Sequence, residues 1–193
     1  MTHTSHTLHS HLALLLVAGV LASVPVVAQV GPGVASGQAA APTVTTVTSA
    51  PPAFSRYPAS VERSVVQQPH LEGKAANFKT VLSQALRDAA ATGPNFAGRF
   101  VVATWGCGSG CVRVAFIDGR TGAVHFPPQL EGATPGNGEL NNREMLEYRA
   151  DSNLLIVNGT PATDDRYGVW AYKWTGQTLE PVSYTVKKRS MTQ

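Results

Sequence analysis

Charge and cysteine are scarce in this 193-residue chain, and both are unevenly placed. No Lys, Arg, Asp or Glu precedes Arg56, so all 15 basic and 12 acidic side chains lie in residues 56–193. Two cysteines are too few for a small scaffold held together by a network of disulfides. The net charge of +3 falls short of the basic excess that marks a nucleic-acid-binding domain, so we expect no nucleic-acid partner.

The N-terminal segment also lacks an apolar run long enough to cross a membrane. Residues 12–28 are 17 uncharged residues interrupted by glycine, serine and proline, whereas a membrane-spanning helix needs about 20 apolar residues. The shorter run 12–22 fits the core of a signal peptide, and small residues at 26 and 28 suit cleavage before residue 29. The sequence therefore predicts a signal peptide over 1–28, with no membrane span after cleavage. An uncleaved membrane anchor is the alternative.

The next segment has the composition of a linker. Residues 29–55 are mostly Gly, Pro, Ala, Thr, Val and Ser with no charge, and such a stretch cannot bury enough apolar surface to offset the entropy of ordering it. We expect residues 29–55 to be disordered and residues 56–193 to form a single globular domain. This organisation predicts a periplasmic or secreted protein.

The folded region starts with one amphipathic helix and continues as β-structure. Over residues 73–92, apolar side chains recur at Phe78, Leu82, Ala85 and Ala89, the spacing of one helix face, and a Gly-Pro pair then ends the helix. Period-two patterns predict strands over 99–105, 111–118, 123–126, 145–150, 154–157, 169–174 and 178–185, with a loop over 129–143.

These strands fall into two similar units. A shift of 54 residues aligns Phe100–Ala103 with Leu154–Val157, and Thr121–Gly122 with Thr175–Gly176. Each unit then contains strand, loop, strand, turn and strand. The predicted fold class is α+β, with mainly antiparallel β meanders and the helix packed on the sheet.

The most distinctive motif, WGCGSGC at Trp105–Cys111, joins the first two strands. A hairpin brings Cys107 and Cys111 close enough to bond, and an exported protein favours oxidation, so the sequence predicts a Cys107–Cys111 disulfide. The spacing does not match a redox C-x-x-C pair, a c-type haem site or a G-x-S-x-G nucleophile. A nest of exposed N–H groups that binds an anion is an alternative reading. No metal site or cofactor is predicted.

Four segments together resemble a group of uncharacterised secreted or periplasmic bacterial proteins. They are the WGCGSGC motif with Gly93–Gly98, Ile117–Gly122 and Tyr148–Gly159, and the resemblance spans about residues 90–175. It implies a compartment and a fold but no catalytic residues. Some members of the group carry further cysteines where this chain has Asp164 and Asp165, so a second disulfide is absent here.

Two functions of different classes are compatible with these residues. A rigid loop without a complete catalytic set predicts a non-catalytic binding or inhibitory module of the cell envelope, whose partner is an envelope protein or a small ligand. The alternative is a small periplasmic hydrolase that uses the Gly-rich Cys107–Cys111 loop, with Ser109 or a carboxylate as the reacting group; His70 or His125 beside Ser109 would favour it. If the two units pack side by side, their equivalent loops form one binding surface, which consists of Ser109, Asp164, Asp165 and Arg166.

Overall fold

The computed structural model describes residues 50–136 and 145–187. The predicted signal peptide and residues 29–49 of the predicted linker lie outside these ranges and stay predictions. Within them, the packed part of the chain includes Phe54. The Ser152 hydroxyl donates to the carbonyl oxygens of Phe54 at 2.8 Å and Tyr57 at 3.0 Å. The last residues of the predicted linker are therefore tied to the sheet.

The helix occupies the predicted residues, although its first part is wound more tightly. Gly73–Phe78 form a 3₁₀ helix, and α1 follows over Lys79–Thr92. Leu82 and Leu86 are fully buried, which confirms the amphipathic face. Truncation of either to alanine would cost about 2–5 kcal/mol, the usual range for a buried leucine.

Eight strands form one antiparallel sheet. They are β1 (Phe100–Gly108), β2 (Cys111–Asp118), β3 (Val124–His125), β4 (Glu131–Pro135), β5 (Leu146–Tyr148), β6 (Leu154–Thr160), β7 (Gly168–Trp174) and β8 (Leu179–Val186). The order across the sheet is β1-β2-β4-β6-β7-β8, while β3 pairs with β2 and β5 pairs with β6. Two meanders, β1-β2-β3 and β6-β7-β8, confirm the predicted α+β class.

One prediction was wrong: part of the predicted loop 129–143 is regular structure. Pro128–Leu130 form a 3₁₀ turn and β4 follows directly, while residues 137–144 lie outside the described ranges. Glycine and proline within β4 disfavour a strand locally. The strand forms because it has a neighbour on each side, β2 along its first half and β6 along its second. It therefore joins the two meanders into one sheet.

The sheet has a buried inner core and a second core beneath the helix. Alternate residues of β1 and β2 face inward, where Phe116 meets Trp174 of β7 with ring centroids 4.8 Å apart. The intervening residues, among them Val101 and Ile117, face outward against α1. This alternation follows from the two-residue period of a strand, and it fixes which side of the β1–β2 hairpin the helix covers.

Candidate functional site

The predicted disulfide is present and closes the tip of the β1–β2 hairpin. The sulfur atoms of Cys107 and Cys111 are bonded, and their Cα atoms lie 5.1 Å apart. Between them, Gly108 and Ser109 are exposed to solvent. We call Cys107–Cys111 the pinned loop. A five-residue ring at the end of an antiparallel pair leaves the loop little conformational freedom to lose on binding.

The base of the pinned loop is held by aromatic packing. Trp105, two residues before the disulfide, packs against Phe78 with ring centroids 4.8 Å apart and against Phe126 at 6.4 Å. Opposite Trp105 in the hairpin, the Arg113 guanidinium lies 5.8 Å above the Phe78 ring. The start of the helix therefore anchors the arm of the hairpin that carries the loop.

A charged contact completes this base. Lys74 forms an ion pair with Glu131 of β4, and its ammonium group also lies 4.8 Å above the Phe126 ring. Glu131 is also opposite Arg113 in the strand pairing. Both side chains of the Lys74–Glu131 pair are more than one-third exposed. The pair therefore contributes little to the stability of the fold.

Neither histidine of the described residues lies beside Ser109. His125 pairs with Phe116 and packs against the Phe100 and Trp174 rings. Phe116 is five residues along β2 from the pinned loop, which corresponds to about 17 Å of strand. The His70 backbone N–H donates to the Gly122 carbonyl oxygen, beyond the same far end of β2. The arrangement therefore supplies no imidazole base to the Ser109 hydroxyl.

The second predicted group of residues forms an ordered cluster on the other meander. Asp164 accepts two hydrogen bonds from the Arg166 side chain, at 2.9 Å from Nε and 2.8 Å from an Nη nitrogen. The Arg166 guanidinium lies 4.8 Å from the Trp170 ring centroid and 4.7 Å from that of Tyr184. Arginine suits this position because its planar fork can pair with a carboxylate while its face stacks on rings.

The electrostatics of the cluster follow from these contacts. The hydrogen bond from Arg166 holds the pKa of Asp164 below its usual value, against a weaker opposing effect of burial. The same bond raises the pKa of the Arg166 guanidinium. Burial raises the pKa of Tyr172, which lies behind Trp170 in a parallel stack with centroids 6.2 Å apart. Each of the three groups therefore keeps the same charge near neutral pH. The charge of the cluster does not change with pH in that range.

The structure brings Asp164 and Arg166 together, whereas Ser109 belongs to the other meander. Strand β4 is antiparallel to both β2 and β6, so those two strands run in the same direction. The pinned loop precedes β2, whereas the loop with Asp164, Asp165 and Arg166 follows β6. In the register, the start of β2 and the end of β6 flank adjacent residues of β4, Ala133 and Thr134, so both loops leave the sheet beside the middle of β4. The predicted common surface of the two loops stays a prediction.

Sequence reasoning missed the aromatic support of Arg166. Trp170, Tyr172 and Trp174 of β7 are all buried. Their spacing of two places them on one face of β7, and Tyr184 of the next strand packs beside Trp170 at 4.2 Å. The sequence does contain a signal for this support: Arg166 comes four residues before Trp170, the first of three aromatic residues at alternate positions.

Comparison with protein-family models, with curated proteins and with solved structures found no match for this chain. Among residues 50–136 and 145–187, no group of three or more His, Cys, Asp or Glu side chains is arranged to hold a metal ion. No helix in those same ranges is long and apolar enough to cross a membrane. The disulfide fits an oxidising compartment.

Proposed function

We propose that this protein is an exported, non-catalytic binding module of the cell envelope and that the pinned loop contacts its partner. The observation that carries the proposal is the combination of an exposed loop tip with a rigid base. The tip is closed by the Cys107–Cys111 bond and its strand is anchored by Trp105. A loop that is ordered before binding loses less conformational entropy when it binds, which favours affinity.

The surroundings of Ser109 support binding over hydrolysis. Its hydroxyl is exposed at the tip, and the two histidines of the described residues lie at the far end of the hairpin. A serine nucleophile needs a base within hydrogen-bond reach. Backbone N–H groups and a small hydroxyl on a fixed loop are instead suited to recognition of a protein or a small ligand.

The test is a quantitative pull-down from the periplasmic and secreted fractions with the full chain as bait. Three baits are compared: the wild type, Ser109→Arg and the control Gln177→Arg. Gln177 is exposed on the β7–β8 turn, so the control adds the same bulk and charge away from the pinned loop. We expect one partner to be recovered with the wild type and the control, and to fall at least tenfold with Ser109→Arg. Equal recovery by all three baits, or no enriched partner, would overturn the proposal.

A further inference from the structure

Strand β1 forms one edge of the sheet, and its outer side is only half covered. The Gly119 N–H donates to the Arg99 carbonyl oxygen across the β1–β2 pair. In an antiparallel strand, successive residues alternate in direction, so Phe100, Val102, Thr104 and Gly106 turn their backbone polar groups outward.

The first half of this outer side is occupied by the chain itself. Phe100 exchanges two backbone hydrogen bonds with Phe96, and the Val102 N–H donates to Asn95 Oδ1 at 2.9 Å. Beyond that point, the Val102 carbonyl, both backbone groups of Thr104 and the Gly106 N–H have no partner among the described residues. Three consecutive outward positions therefore present unpaired donors and acceptors.

A groove runs along this open edge beneath α1. Its volume is about 510 Å³, and it is bounded by one face of the helix and by residues 101–104 of β1. The helix contributes apolar contacts through Val81, Ala85 and Ala89, and polar ones through Gln84 and Asp88. A groove between a helix and a free strand edge fits an extended peptide, whose backbone pairs with the strand while alternate side chains face the helix.

The two edges of the sheet differ in how they resist such pairing. At the other edge, β8 contains Pro181 and Glu180, and its pairing with β7 is interrupted by a register shift. Proline, charge and irregularity are the features that keep an edge from adding another strand. The segment Phe100–Trp105 contains none of them. The open half of β1 is therefore competent to accept a strand.

Charge on the groove indicates which kind of strand it accepts. Asp88 is the charged side chain that lines it. One carboxylate oxygen accepts a hydrogen bond from Gln84 at 2.6 Å, and no ion pair neutralises Asp88 among the described residues. A lysine or arginine on the incoming strand would supply the missing positive charge. A second copy of this chain would instead add its own uncharged β1 edge, which offers Asp88 no cation.

We propose that an extended segment of a partner protein, with alternating apolar side chains and one basic residue, adds as a strand to the open edge of β1 beneath α1. The open edge of β1 is a different surface from the pinned loop, so this partner strand is distinct from the partner that the pinned loop contacts.

The test is a fluorescence-anisotropy titration of the full chain with two capped hexapeptides of sequence Val-Thr-Lys-Thr-Val-Thr and Val-Thr-Glu-Thr-Val-Thr, in which the charged side chain lies on the same face as the valines. We expect the lysine peptide to bind with a Kd below about 1 mM and the glutamate peptide to bind about threefold to tenfold more weakly, because the exchange replaces an exposed ion pair with a like-charge repulsion of similar size. Amide NMR signals of Thr104 and Gly106 should shift on binding. Absence of binding up to several millimolar would overturn the proposal.

Two variants and one control locate the site. Thr104→Pro removes an outward N–H without removing a bond to β2, so it should abolish binding. Asp88→Lys, on the exposed helix face, should reverse the preference between the two peptides even if the proline variant fails to fold. Glu180→Lys makes the same charge change on β8 and should leave the preference unchanged.

The same variants also show whether something other than a partner peptide covers the open edge of β1. If the wild type dimerises in sedimentation experiments and Thr104→Pro does not, a second copy covers the edge and the peptide proposal is wrong. Binding that is unchanged in both groove variants would place the peptide elsewhere and also overturn it. Ser109→Arg should bind the peptides like the wild type, so that failure of this inference and failure of the pinned-loop proposal are separable.

Discussion

Removal of the disulfide tests whether the pinned loop is a local constraint on the hairpin. The double substitution Cys107→Ser and Cys111→Ser opens a ring of five residues. In the loop-closure model, such a ring changes the entropy of the unfolded chain by about 7 cal/mol/K, or about 2 kcal/mol at 25 °C. Neither cysteine belongs to the buried core, so the substitution leaves no core cavity and this entropy is the main effect. For a domain of this size, the loss corresponds to a fall in Tm of about 6–10 °C.

Urea unfolding followed by tryptophan fluorescence measures this loss. We expect the midpoint to fall while the slope stays close to that of the wild type, because a short ring barely alters the surface exposed on unfolding. The wild type in the presence of reductant should match the double variant. Ser109→Ala, a change at the exposed tip, should stay within about 0.5 kcal/mol of the wild type.

Two outcomes would contradict a purely local role for the disulfide. A loss below about 0.5 kcal/mol would mean that the hairpin holds the loop without the bond. A loss above about 4 kcal/mol, beyond what so short a ring provides, would mean that the disulfide supports the core.

Further predictions concern the charged clusters and the joint between the meanders. Arg166→Ala should accelerate amide hydrogen exchange in the loop that follows β6, and Arg166→Lys should not restore protection because an ammonium group cannot form the two-pronged pair with the carboxylate. Burial alone would raise the pKa of Asp118, but hydrogen bonds from Arg99 and two backbone N–H groups, with the Arg99 charge, lower it. Its stabilisation is therefore present above about pH 4 and is lost as the pH falls through the folded-state pKa. Asp118→Asn should lose about 2–3 kcal/mol at pH 7 in urea unfolding and show a shallower loss of stability in acid. Gly159→Ala should cost about 3 kcal/mol or more because its Cβ would collide with a backbone carbonyl of β4, whereas Gly176→Ala, with open space around it, should cost about 1–2 kcal/mol. Equal losses for these two glycine variants would contradict the close approach of β4 and β6.

The parts of the fold that local patterns encode could be predicted. The helix at 73–92 has a continuous apolar face, and three of the four turns within the two meanders contain glycine. The disulfide followed from two cysteines at the ends of a hairpin. In each case the residues that determine the element lie within a few positions of it.

The parts that depend on distant neighbours could not be predicted. Strand β4 has no apolar alternation, and it forms because β2 and β6 offer it backbone partners. The cluster around Arg166 requires Tyr184, which arrives from the next strand. The direction and register of β6 relative to β2 depend on β4, so the repeat at 54 residues could not reveal how the two meanders join.

Photo-crosslinking in intact producing cells reports whether the pinned loop contacts the partner. A photoreactive amino acid is placed at Ser109 in one full-length variant and at Gln177 in a second. We predict a discrete adduct from position 109 that disappears when Cys107 and Cys111 are replaced by serine, and no such adduct from position 177. Adducts of equal yield from both positions, or none from position 109, would contradict the account.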